Sequence, residues 1–142
     1  MTPIDASAQA VCLHEYAHLA VAKHFGGAGF VTVARVADAS PPCHAGAFRL
    51  FGDLADHEWR IVALAGAIAE CLAEDPLAGV DRIAHRLDAA SRLTGVDRQL
   101  AAGYTRDDVT ACVAILRAEW SSLCADAAAH ARRLAGASTM EP

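Results

Sequence analysis

His14, Glu15 and His18 stand in the order His-Glu-x-x-His, with Tyr16 and Ala17 between them. On an α-helix, residues i and i+4 share a face, so the two imidazoles can hold one metal ion between them. Zn2+ suits two neutral imidazoles and a carboxylate, with water in a fourth, open position. Glu15 follows the first histidine, where a carboxylate can take a proton from that water, and zinc brings the water's pKa towards neutrality. The chemistry outlined by these residues is metal-assisted hydrolysis of an amide, with His14 and His18 as ligands and Glu15 as general base.

Such a site needs the motif inside a helix, away from its ends. The sequence predicts a helix over residues 4–25. Thr2-Pro3 reads as an N-cap followed by proline at the first helical position, and Asp5 falls in the first turn. Val11, Cys12, Leu19 and Val21 supply apolar residues around the histidines, and Gly26-Gly27 ends the segment. Tyr16 lies two residues before His18 and points away from the metal face, and His24, six residues after His18, falls off that face. His57, His85 and His130 are isolated and read as surface or core histidines. Cys43-His44 follows Pro41-Pro42 with no partner at ligand spacing.

The remaining elements must position this helix. Residues 30–36 are rich in β-branched side chains and read as a strand; a loop with Pro41-Pro42 covers 38–43, and 44–51 reads as a second, weaker strand. The two make an antiparallel ribbon. Either Val31 to Arg35 or Ala45 to Leu50 is placed to hold an extended peptide by its main chain, or the ribbon merely covers the helix. Asp56 caps a helix over 57–74, with Trp59, Val62, Ala65, Ala69 and Leu72 on or near one face. Asp75-Pro76 reads as cap and first residue of the next helix, whose apolar positions are Ile83, Leu87, Ala90 and Leu93 and which Gly95 ends. A short turn covers Val96 to Ala102. Thr105 caps a long final helix with Asp107 and Asp108 in its first turn, a buried stripe of Val109, Val113, Leu116, Trp120 and Leu123, and a stop at Gly136. The expected class is α+β and predominantly helical: a His-Glu-x-x-His helix, a short antiparallel ribbon and a C-terminal helical bundle in one domain over 1–137, with 138–142 as a frayed tail.

Composition narrows the function classes. With 142 residues the chain is long enough for one real core. Its apolar fraction is 54% and its mean hydropathy +0.25, but much of that is alanine, which favours helix more than burial. No apolar run reaches the ~18–20 residues a membrane span needs; the best, Ile61 to Leu72, contains Glu70. No basic-then-apolar leader opens the chain, which reads as cytoplasmic. A net charge of −5 without a basic patch argues against nucleic acid. The five cysteines are widely spaced with no Cys-x-x-Cys pair, and read as buried free thiols.

In motif order, the chain resembles the peptidase domain of the FtsH-type zinc proteases, a membrane-bound ATP-dependent family. The resemblance rests on His14-Glu15-Tyr16-Ala17-His18-Leu19-Ala20-Val21-Ala22, a glycine-bearing connection, a valine-rich strand, a second glycine-bearing strand, and Leu64-Ala65-Gly66-Ala67-Ile68-Ala69-Glu70, similar to that family's Ala-Gly-x-x-Ala-Glu helix. It spans roughly residues 8 to 95. It implies a zincin-like fold, zinc-dependent peptide hydrolysis, and a peptide or unfolded protein as substrate.

It also implies an aspartate as third ligand, on a helix after the Ala-Glu helix. Ala78-Gly79-Val80-Asp81-Arg82 fits that description best, so Asp81 is the expected ligand; Thr94-Gly95-Val96-Asp97-Arg98 is a near-duplicate and its main rival, and Asp88 is a weaker candidate. Glu70 is a ligand in the manner of zinc proteases that use a glutamate, or, as in the resembled family, a residue that supports a ligand. The chain has no ATPase module, phosphate-binding loop or membrane anchor, and so resembles a compact stand-alone relative. Two further readings stay open: a zinc-binding regulatory or scaffold domain that works with a separate partner protein, and a helical domain with an accidental motif.

Overall fold

A computed structural model describes residues 6–36, 43–89 and 92–140 of the chain. In order they form α1 (Ala6–His24), β1 (Ala28–Val36), β2 (Cys43–Phe51), α2 (Asp56–Glu74), α3 (Val80–Ala89), α4 (Gly95–Leu100), α5 (Arg106–Ala118) and α6 (Trp120–Met140). The architecture is predominantly helical with one two-stranded antiparallel sheet. No helix among the described residues is long and apolar enough to cross a membrane.

The α1 helix is held on several sides at once. Its Ala17, Val21 and Ala22 are buried in the main core with α2, while Ala8 and Cys12 pack with Ala127 and Ala131 of α6. The ribbon lies along it as well. Small side chains at these positions let helix backbones approach closely, which explains why the alanine-rich sequence still builds a core. On α2, every residue from Ile61 to Leu72 except Glu70 is buried, because α1 and α5 pack on it and α3 and α4 also touch it. A helix apolar all round is a helix covered all round. All five cysteines are free thiols; Cys12, Cys71 and Cys112 are buried and Cys43 and Cys124 half-buried.

Glycine ends α1 as expected. Gly26 has φ 88°, and the Gly27 N–H donates to the Ala22 carbonyl at 2.9 Å, closing the last turn. The strands then pair in the register Val31↔Phe48, Val33↔Gly46 and Arg35↔His44. Val31, Val33, Phe48 and Leu50 are half-buried, whereas the exposed Phe30 and Phe51 pack ring against ring at a tilt of 35°. At Gly46 the ribbon comes closest to α1: a Cβ there would lie 2.6 Å from Val11 and 2.7 Å from the Glu15 side chain.

The boundaries differ from the sequence reading in several places. Ala55 rather than Asp56 is the N-cap of α2, α3 ends at Ala89 rather than running to Gly95, and the stretch read as a turn over Val96 to Ala102 carries the helix α4 over Gly95–Leu100. Asp75-Pro76 does not start a helix. The Asp75 N–H completes α2 by donating to Cys71 (2.9 Å), and the Ala78 N–H returns to the Asp75 carbonyl (3.0 Å). Asp at the first and Pro at the second position serve a turn as well as a helix start, and burial of Ala78 selects the turn. The next helix therefore begins at Val80.

The single final helix is in fact two. Thr105 caps α5 as expected, accepting from the Asp108 N–H at 3.2 Å while Asp108 accepts from the Thr105 N–H at 3.0 Å. At Glu119 (φ −100°, ψ 5°) the axis breaks, so that α5 covers α2 while α6 lies along α1. Gly136 does not stop α6, which continues to Met140; a helical glycine costs only about 1 kcal/mol relative to alanine. Thr2-Pro3, Asp5, the 38–42 part of the loop, Ala90 and residues 141–142 lie outside the described residues.

Candidate metal centre

Three residues of α2, one per turn, shape the site. Val62, Gly66 and Glu70 follow at i, i+4 and i+8 and so form a stripe facing α1. The Val62 carbonyl accepts from His18 Nδ1 at 2.6 Å. Gly66 gives the His14 ring its space, since a Cβ there would sit 2.4 Å from the imidazole. The Glu70 carboxylate accepts from His14 Nδ1 at 2.8 Å. With both partners acting as acceptors, each histidine carries its proton on Nδ1 and turns Nε2 the other way.

The two Nε2 atoms meet at one place. They lie 3.2 Å apart, and Asp97 Oδ2 lies 3.1 Å from His14 Nε2 and 3.2 Å from His18 Nε2. Ligand atoms about 2.0–2.1 Å from a tetrahedral zinc ion are about 3.3 Å from one another, so this triangle has the dimensions of one face of a zinc tetrahedron. Among the described residues, this is the one cluster of histidine, cysteine or carboxylate side chains found with metal-ligand spacing. Two imidazole nitrogens and a carboxylate converge here, held without metal by hydrogen bonds, and this donor set is one that zinc accepts. His18 is 4% exposed, His14 21% and Asp97 27%, which leaves an open side.

Charge follows from this geometry. Burial favours neutral His14, but Asp97, Glu70 and Glu15 outweigh it and raise its pKa to about 10 in the metal-free protein. Burial likewise opposes ionisation of Asp97, yet His14 and His18 hold its carboxyl far below the usual carboxylate range. Without metal, then, a proton on His14 occupies the centre of the cluster. Metal binding needs neutral His14, so below that raised pKa the metal competes with the proton. Zinc binding at pH 7 is therefore expected to release a proton from His14 and to strengthen by up to about tenfold per pH unit as pH rises. Calorimetry in buffers of different ionisation enthalpy measures this release, and an affinity independent of pH between 6 and 8 contradicts it.

Glu15 stands beside the triangle and outside it, with Oε1 4.0 Å from His14 Nε2 and its side chain 12% exposed. Burial pushes its carboxyl upward while His18 and His14 pull it down; the net rise makes it a better base than a surface glutamate. Glu15, His18 and Asp97 line one cavity of about 550 Å³, walled by Phe48, Leu50, Trp59, Val96 and Leu100. A smaller cleft on the other side of Glu15 is lined by Ala10, Val11, His14, Gly46 and Glu70. β2 runs along both, through Gly46, and β1 contributes no residue to either wall.

Of the residues expected at the site, His14, Glu15 and His18 come together and Asp81 does not. Asp81 is 79% exposed and pairs with Arg106. The reason is helical phase. α3 buries Ile83 and Leu87, two and six positions further on, which turns Asp81 to the opposite side. Its rival Asp97 takes the place beside the histidines. Asp88 accepts from the Tyr104 hydroxyl, and Glu70 reaches His14 Nδ1 rather than the triangle. Tyr16 points away as expected and bonds His130 Nδ1 at 2.8 Å; His24, His57 and His85 are exposed. Sequence reasoning missed the roles of Val62 and Gly46. No local pattern marks a backbone carbonyl as a histidine's partner, but the single glycine amid the alanines of β2 was a visible sign of close approach. No protein-family model matches the chain, and no curated protein matches it.

Proposed function

We propose that this chain is a zinc-dependent metallopeptidase with His14, His18 and Asp97 as metal ligands and Glu15 as general base. The reading rests on one observation: three potential ligand atoms 3.1–3.2 Å apart, with the half-buried Glu15 carboxylate beside them lining a cavity. When bound, zinc supplies Lewis acidity, polarising a carbonyl and acidifying water. The chain's own groups do the rest. Glu15 takes the water's proton and passes it to the leaving amine. Glu70 and the Val62 carbonyl hold the two imidazoles in orientation. The main chain of β2 from Gly46 to Leu50 lies where an extended substrate would pair across the site. The walls of Phe48, Leu50, Trp59, Val96 and Leu100 suit an apolar side chain next to the scissile bond, as found in loosely folded protein.

With Asp97 as third ligand, the set is the one that resemblance to the FtsH-type peptidase domain implies: two histidines on one helix and an aspartate on a helix after the Ala-Glu helix. A zincin-like relative of that domain is the fold-level form of the proposal. Protein purified without chelators is expected to carry about one zinc per chain, and His14→Ala or His18→Ala to lose most of it. Chelation should abolish cleavage of an unfolded protein substrate, and added zinc should restore it. Absence of metal after zinc is supplied at neutral pH would sink the proposal. Bound zinc without turnover would favour the regulatory-scaffold reading.

A further inference from the structure

The stripe on α2 does not end at Glu70. Glu74 lies one turn beyond it, and the Arg92 guanidinium lies across both. Arg92 Nη1 is 2.8 Å from Glu74 Oε1, Nη2 is 2.9 Å from Glu74 Oε2, and Nη1 is 4.0 Å from Glu70 Oε2. Glu70 Oε1, the other oxygen of that carboxylate, is the one that accepts from His14 Nδ1 at 2.8 Å. Arg92 also stands five residues before Asp97, on the segment leading into α4. One side chain thus touches the partner of the first ligand and belongs to the stretch of chain that delivers the third.

We infer that Arg92 is a positioning residue for the metal centre, aligning the Glu70 carboxylate on His14 and tying the approach to α4 against α2 so that Asp97 reaches the two histidines. The inference rests on the metal-site reading of His14, His18 and Asp97. Its physical basis is the planar fork of arginine. Two bonds to Glu74 fix the guanidinium and leave its Nη1 4.0 Å from Oε2 of Glu70. A lysine ammonium keeps the charge but cannot hold both carboxylates in this geometry. Arg86 supplies an internal control: its Nη1 reaches Glu74 Oε2 at 3.3 Å and makes no ion pair with Glu70.

The test compares wild type, Arg92→Ala, Arg92→Lys and Arg86→Ala. Folding of the metal-free forms is checked by circular dichroism, zinc affinity by chelator competition, and ligand geometry by the visible spectrum of the Co2+-loaded protein. Arg92→Ala is expected to weaken zinc binding about tenfold, the lower end of the effect of losing an outer-sphere partner, and to shift the Co2+ bands. Arg92→Lys should fall between it and wild type, and Arg86→Ala should match wild type in both readouts. If Arg92→Ala does not fold, the lysine variant carries the comparison. The inference is overturned if the Arg92 variants keep wild-type affinity and spectrum, whatever happens to their thermal stability, or if Arg86→Ala does the same damage. Wild type that binds neither zinc nor Co2+ overturns the metal-site reading itself, and this inference with it.

Discussion

Glu15→Gln is expected to keep its zinc and its fold and to lose peptide hydrolysis by on the order of 10²-fold or more. Glu15 lies outside the ligand triangle, so removing its charge leaves His14, His18 and Asp97 in place. Glutamine has nearly the same shape, so the tight fit against Gly46 survives. What is lost is the ability to accept a proton, since an amide is not a base at neutral pH. A steady-state assay on an unfolded protein substrate, with zinc content measured on the same preparation, separates the two roles. Cleavage at the wild-type rate would remove Glu15 from the mechanism. Loss of zinc together with activity would mean that Glu15 helps bind the metal.

Asp97→Ala is expected to weaken zinc binding beyond the about 10–100-fold attached to an outer-sphere partner, because it removes one of the three ligands proposed above. Asp81→Ala should leave zinc binding unchanged. Asp81 is exposed and paired with Arg106 at the surface, and such pairs contribute at most about 1 kcal/mol. Chelator competition on the two variants decides the matter, with the metal-free Asp97→Ala protein checked for fold. The reverse outcome would move the ligand to Asp81 and require α3 to turn. Equal, wild-type affinity in both would leave the third ligand unassigned and weaken the resemblance on which an aspartate was expected.

Much of this site was legible in the chain. His14, Glu15 and His18 lie within five residues of one helix, where 3.6-residue periodicity alone decides which side chains share a face. The two strands, the helix around Gly66 and the Thr105 cap were legible for the same reason: each depends on residues no more than about a helical turn or a strand apart. That the Gly66 helix is buried all round, rather than on the one face read from its sequence, is a matter of the helices packed on it. Glu70 was recognised as a helper through its place in a motif, although only packing against α1 shows that it accepts the hydrogen bond of His14 Nδ1. The third ligand was different. Asp81 and Asp97 have near-identical neighbours, Gly-Val-Asp-Arg in both, so local sequence carries almost nothing to distinguish them. The choice is made by how Ile83 and Leu87 rotate α3 and by where α4 meets α2, contacts between segments far apart in the chain. The same holds for the break at Glu119 and for the choice of β2 over β1 as the strand beside the His14, His18 and Asp97 cluster. Short-range periodicity placed His14, Glu15 and His18 together on one helix; long-range packing decided which aspartate joins them and which strand lies alongside.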